Sequence, residues 1–219
     1  MDTPPPHQES RRELAARTRE LVEQCLMTEV PRDVLEQAAQ RVASIVEDLK
    51  RSQGVPFFEA IKSGHYLQNK VAYADRNLVV GHANPLAPPM LLDVDGDWTV
   101  GTVNLGRVYE GAPGFIHGGV VSLLFDQIFG SIIVRHGVPG VTGELQIRYI
   151  KPTPVSVPLK LMARIEEVDG RHYKCAGKLL CGEEVLVRGS AVMIAVEKEH
   201  LRVLFETTHN RSEDEVKLE

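Results

Sequence analysis

Gly111-Ala-Pro-Gly-Phe-Ile-His117-Gly118-Gly119, followed at once by Val120-Val-Ser-Leu-Leu-Phe-Asp126-Gln-Ile-Phe-Gly130, decides how this chain folds. The first half reads as a glycine-rich turn. The second reads as a helix apolar on nearly every side, with one carboxylate in its middle. A helix hydrophobic all round belongs in a core, where an ionised aspartate is costly unless something holds it. Aspartate is also a poor helix former that competes for the backbone. Asp126 in that position points to chemistry rather than to folding.

The helix is expected over about residues 116–136, and the segments on either side of it read as strands. After it come 141–149, 158–168, 171–180 and 184–196, with Asp169-Gly170 and Cys181-Gly182 as the last two turns. Before it, 90–94 and 98–105 flank the hairpin turn Asp95-Gly96-Asp97. Two strands, one buried helix and four antiparallel strands are satisfied by a curved antiparallel sheet wrapped around the helix. This is an α+β hotdog fold, with the helix as sausage and the sheet as bun.

Residues 90–200 form that domain in this reading, and the rest is arranged around it. Residues 1–10, with Pro4-Pro-Pro6, are expected to be disordered. Residues 11–50 read as a two-helix extension, with Leu14, Thr18, Leu21 and Cys25 on one apolar stripe and Val34, Ala38, Val42, Ile45 and Leu49 on another. Asp33 and Glu36 resemble a capping box at the start of the second helix. The extension is expected to lie on the main domain or on a neighbouring subunit. Residues 51–89 carry many glycines and prolines and read as an irregular lead-in, and 201–219 as a charged tail, frayed from His209.

Composition narrows the function classes. The chain has 219 residues and a net charge of -5, so it shows no electrostatic footprint for nucleic acid. Cys25, Cys175 and Cys181 form no metal-ligand spacing, and their odd number argues against a disulfide framework. No membrane span is expected, because no apolar run approaches the roughly 20 residues one requires. The N-terminal arginines are interleaved with Glu9, Glu13, Glu20 and Glu23, unlike a transit peptide. A reducing, cytoplasmic setting is the default expectation.

The run Tyr109-Glu-Gly-Ala-Pro-Gly-Phe-Ile-His117-Gly-Gly119, with Asp126 nine residues beyond His117, resembles the PaaI-type hotdog acyl-CoA thioesterases of the thioesterase superfamily. Within them it is most similar to the branch that includes the mammalian long-chain enzymes. Asn84-Pro-Leu-Ala-Pro-Pro, Val141-Thr142, Tyr149-Ile-Lys-Pro-Thr-Pro154 and Asp169-Gly-Arg171 share in the resemblance, which spans roughly residues 80–196. It implies a carboxylate, here Asp126, acting as general base or nucleophile. It implies a backbone N–H at Gly118 that polarises the thioester carbonyl, and a hydroxyl at Thr142 that positions water. Some members carry a side-chain amide six residues before the histidine; here that position is Gly111, which has none to offer. The resemblance also places Arg148, Lys151, Arg171 and His172 where the nucleotide part of coenzyme A is contacted. It implies fatty acyl-CoA as substrate, a place in fatty acid metabolism, and no cofactor beyond the CoA that belongs to the substrate.

These residue types suit thioester hydrolysis. A helix N-terminus offers unpaired N–H groups and a positive dipole end, and Gly118 and Gly119 let a carbonyl approach them unobstructed. From Gly118 to Asp126 is eight residues, roughly 12 Å along a helix at about 1.5 Å per residue. One helix therefore cannot bring both groups to one carbonyl carbon. Asp126 of one subunit must meet Gly118 of another, so a homodimer is expected, alone or paired into a homotetramer. His117 reads either as a rival general base or, preferably, as a helix-start histidine that orients the turn and donates a hydrogen bond. Ser122 shares a face with Asp126, whereas Gln127 points about 100° away, toward an acyl pocket or an interface. The competing readings are a non-catalytic acyl-CoA-binding sensor and a hotdog dehydratase or hydratase.

Overall fold

The structure is a computed structural model and describes residues 6–196. The expected disorder at 1–5 and the charged tail from 201 onward lie outside the described residues.

The expected core helix is α6 (Gly118–Arg135), and the six strands are β1 (Leu91–Asp95), β2 (Trp98–Asn104), β3 (Gly140–Tyr149), β4 (Pro158–Asp169), β5 (His172–Cys181) and β6 (Glu184–Ala195). They form one antiparallel sheet in the order β1-β2-β4-β5-β6-β3, and α6 packs against it. This is the hotdog arrangement. Val121, Leu124, Phe125, Ile128, Phe129, Ile132 and Ile133 of α6 are buried, each contributing about 1.5–3 kcal/mol by leaving water. By length and composition alone α6 would also pass for a membrane span; here its apolar faces are the core.

Phe125 shows how closely helix and sheet approach. Gly177 of β5 and Gly189 of β6 are cross-strand partners, and the Phe125 ring fills the bay above them. A Cβ at Gly189 would lie 2.5 Å from Phe125 Cδ1. The aromatic ring thus seats the helix, and it does so one residue before the carboxylate.

The N-terminal part begins earlier and is more ordered than expected. α1 (Pro6–Met27) starts at Pro6, inside the stretch read as disordered, and α2 (Arg32–Lys50) follows. Pro31, pre-set at φ -56°, is the N-cap of α2, so Asp33 is not a cap, and Glu36 pairs with Arg32 at 2.7 Å instead. The irregular lead-in contains three short helices, α3 (Phe57–Lys62), α4 (His65–Gln68) and α5 (Lys70–Ala74). α1 lies on the main domain. Ala15 is buried, Arg12 grips Asp75 with two bonds of 2.7 and 3.0 Å, and Arg19 reaches the Asn84 carbonyl at 2.9 Å. No residue of α2 is buried.

Candidate active site

The turn before α6 is held from three sides. Ile116 N–H donates to the Thr153 carbonyl at 2.8 Å, and His117 N–H to the Tyr109 carbonyl at 2.9 Å. Phe115 forms a β-bridge with Pro154. Gly111 is required here by space, since a Cβ on it would lie 2.9 Å from His117 Cα.

His117 is the N-cap of α6, but it accepts rather than donates. Its Nδ1 takes the Gly119 N–H at 3.0 Å, so the neutral ring carries its proton on Nε2. The Gly119 N–H is therefore occupied and is not a free oxyanion donor. The His117 carbonyl receives the Val120 and Val121 N–H groups at 2.9 and 3.2 Å. The Gly118 carbonyl receives Tyr149 OH at 2.7 Å and Ser122 OH at 3.1 Å, and the two hydroxyls stand 2.9 Å apart. Both peptides that flank Gly118 are thus fixed, while the Gly118 N–H has no acceptor among the described residues. It is the open donor at a positive helix end.

Gly118 lies on a cleft of about 580 Å3 whose walls include Phe115, His117, Tyr149, Ile150 and Lys151. Asp126 does not line it. The carboxylate sits half-buried two turns along α6 and accepts a 2.8 Å hydrogen bond from Thr142 Oγ1. The structure thus brings Thr142 to Asp126 and Tyr149 to Gly118, while Gly118 and Asp126 remain at separate places on one helix.

The four cation candidates divide between the two ends of β3. Arg148 and Lys151 stand at the cleft end, where Lys151 is ion-paired with Glu184. That pair is exposed at the surface, where such contacts are worth about 0–1 kcal/mol. Arg171 and His172 stand at the other end, where the Arg171 carbonyl accepts from Ala195 N–H at 2.8 Å and Ala195 pairs with Gly140, the first residue of β3.

Two further polar side chains find their partners within the chain. Ser122 bonds back to Gly118 and to Tyr149 rather than to Asp126. Gln127 accepts a 2.9 Å bond from Asn77 and donates to Ser131 at 3.1 Å, which fastens the lead-in to α6 beside Asp126. Tyr149 was visible in the sequence only as part of a motif. Its contact with Gly118, 31 residues away, has no local signal.

Comparison with known proteins bears on the fold. The family model for the thioesterase superfamily matches residues 113–188. Acyl-coenzyme A thioesterase THEM4 of Mus musculus is 26% identical over 103 residues, 46% of this chain and 44% of its own length. MIOREX complex component 3 of Saccharomyces cerevisiae is 29% identical over 129 residues, 57% of this chain and 46% of its own. The chain thus spans under half the length of these two relatives. A crystal structure of a thioesterase superfamily protein superposes with a TM-score of 0.73 at 29% identity, covering 84% of this chain and 90% of that one. Such coverage exceeds the hotdog domain and takes in part of the N-terminal region. Family model, relatives and fold agree in one likeness: over residues 113–188 this chain is similar to the thioesterase superfamily.

Proposed function

We propose that this protein hydrolyses acyl-CoA thioesters, fatty acyl-CoA among them, to the free acid and CoA, in an active site shared between two copies. The observation that carries the reading is the division of labour along α6. An open Gly118 N–H ends the cleft, and a half-buried Asp126 held by Thr142 stands two turns away, off the cleft. Two α6 helices side by side and antiparallel bring Asp126 of one copy to Gly118 of the other.

In that arrangement Asp126 takes a proton from water as its oxygen attacks the thioester carbonyl carbon. The negative charge that develops on the carbonyl oxygen falls on the Gly118 N–H, an interaction whose loss typically costs about 2.7–4 kcal/mol. The C–S bond then breaks, the acid departs, and the CoA sulfur takes up the proton. Direct attack by the carboxylate would pass instead through a mixed anhydride on Asp126. Label in Asp126 after a single turnover in 18O-water marks an anhydride that water opens at the Asp126 carboxyl carbon, whereas the general-base route puts label only in the released acid.

Lys151 on the cleft wall and Arg148 beside it are the nearest cations for the CoA phosphates. In the side-by-side arrangement, Arg171 and His172 of the second copy come to the same end. The experiment is CoA-thiol release from acetyl-, hexanoyl-, palmitoyl- and phenylacetyl-CoA by the wild type and Asp126→Asn. A loss of about 10²–10⁴-fold is expected if Asp126 is the general base. Binding of acyl-CoA with no turnover of any of the four would replace the hydrolase reading with that of a sensor.

A further inference from the structure

We propose that the cavity between α1 and α2 is a binding site for a single-chain fatty carboxylate, apart from the cleft at Gly118. Arg11 and Arg76 hold the head, and the alkyl chain lies between the aliphatic stripes of the two helices. The site is read from the cavity itself and stands whether or not the chain hydrolyses thioesters.

The two helices are held unequally. α1 is pinned to the main domain through Arg12 and Asp75. No residue of α2 is buried, and its side-chain ion pairs run within the helix or to Arg51. Yet Leu35, Ala38, Val42, Ile45 and Leu49 of α2 recur at alternating spacings of three and four, the stripe of a helix that packs against something apolar. Leu14 and Leu21 of α1 line a cavity of about 640 Å3 together with Val42, Ile45 and Leu49. Such a volume suits a small ligand, whose sites are mostly apolar with a few polar groups that fix its orientation. Leu14, Leu21, Ile45 and Leu49 are each 38–53% exposed, so a bound chain has apolar surface to cover on both helices.

Charge selects the ligand. The chain has 30 acidic residues against 25 basic ones, yet the charged side chains on this wall are Arg11, Arg17 and Arg76, with no carboxylate among them. Arg17 is engaged by Glu13 and Glu20 of its own helix. Arg11 is half-buried and has no hydrogen bond or ion pair among the described residues. Arg76 lies on the Tyr73 ring, 4.5 Å from its centre, and donates from Nη1 to the Val55 carbonyl at 3.2 Å. Its Nε and Nη2 are left for another acceptor, and a guanidinium fork matches a carboxylate.

The fold sets the orientation. Because Arg12 is bonded to Asp75, their neighbours Arg11 and Arg76 stand at one end of the cavity. The short connection over 28–31 turns α2 back along α1, so Leu49 belongs to that end, and Leu21 and Val42 to the other. From Arg11 to Leu21 is ten residues, roughly 15 Å along a helix at about 1.5 Å per residue. A cationic end and an apolar length are the layout of a fatty acid. The cavity shares no wall residue with the cleft at Gly118.

The test is a calorimetric titration of the full chain with octanoate, decanoate and dodecanoate. One molecule should bind per chain, and each added methylene should tighten binding by about two- to fourfold. Arg11→Gln with Arg76→Gln should weaken dodecanoate by about tenfold or more. Val42→Asp, which sets a carboxylate on the apolar wall, should abolish binding while circular dichroism stays unchanged. Hydrogen exchange should show α2 gaining protection on binding. Dodecanol that binds as tightly as dodecanoate, or arginine variants without effect, would overturn the site. So would protection of α2 that rises with protein concentration in the absence of fatty acid, which gives the stripe to a second copy. Protection that appears only on phosphatidylglycerol vesicles gives it to a membrane and also overturns the proposal. A KM raised for palmitoyl-CoA but not acetyl-CoA in Val42→Asp would make the cavity part of the hydrolase site instead.

Discussion

Thr142 Oγ1 donates a 2.8 Å hydrogen bond to Asp126 Oδ1, tying the edge strand to the middle of the core helix. The bond orients the carboxylate and leaves Oδ2 without a hydrogen-bond partner among the described residues. Hydrogen bonds to charged groups are worth about 1.5–3 kcal/mol, so Thr142→Val should lower kcat by roughly tenfold to a hundredfold. Thr142→Ser keeps the donor and should recover most of that loss. Full activity in Thr142→Val would remove Thr142 from the site.

Tyr149 acts on the other half of the site through Gly118. Its hydroxyl holds the Gly118 carbonyl at 2.7 Å and meets Ser122 OH at 2.9 Å. Tyr149→Phe leaves Ser122 as the remaining side-chain donor to that carbonyl. A neutral hydrogen bond contributes about 0.5–1.5 kcal/mol, so kcat should fall by roughly two- to tenfold with KM little changed, as expected of a residue that positions the oxyanion donor. Because Ser122 and Tyr149 touch, adding Ser122→Ala should give a non-additive loss. A rise in KM at constant kcat would instead make Tyr149 a wall of the cleft.

The fold was legible because its cues are local. The apolar run through α6 and the Asp-Gly and Cys-Gly turns lie close to the elements they define, and all six strands fall within two residues of their expected ends. The helical character of 6–10 was hidden by prolines that start helices as readily as they end them. Asp33 and Glu36 had the spacing of a capping box, but Pro31 sets the start of α2 one residue earlier. At the candidate site, Asp126 stood out by its own improbability in an apolar helix. Tyr149 and the Asn77–Gln127 bond were not legible, since contacts between residues 31 and 50 apart leave no mark on spacing. The direction of the His117 hydrogen bond depends on the backbone angle at the cap, which residue type does not specify.

The clamp that docks α1 should be insensitive to pH over the physiological range and fail in acid. Burial of the Asp75 carboxyl pushes its pKa up, but hydrogen bonds from Arg12 and Gln8 and the charge of Arg12 outweigh this and hold it below the ordinary value. A carboxylate so depressed stabilises the fold fully above the unfolded-state pKa of about 3.9 and loses that contribution as pH falls through the lower folded value. Hydrogen-exchange protection in α1, taken relative to the intrinsic rate at each pH, should therefore be steady from about pH 5 to 8 and fall below about pH 4. Arg12→Met leaves a buried acceptor underpaired, at a cost of about 1–3 kcal/mol, and should expose α1 to proteolysis at neutral pH. Detachment of α1 already at pH 6 would mean that another group controls the docking.

The three thiols should separate by reactivity. Cys25 on α1 is exposed, Cys181 is half-buried and Cys175 is buried, and burial pushes the Cys175 pKa up to about 11. The thiolate is the reactive form, so at pH 8 roughly one Cys175 thiol in a thousand is ionised, and that fraction lies 3% exposed beneath the core helix. An aromatic disulfide reagent at pH 8 should modify Cys25 first and reach Cys175 only on unfolding, which makes Cys175 a reporter of global opening. Its labelling rate should rise with denaturant in parallel with the loss of the core, while Cys25 stays unchanged. Rapid modification of Cys175 in the native protein would show that β5 opens locally from α6, and with it the bay that seats Phe125 next to Asp126.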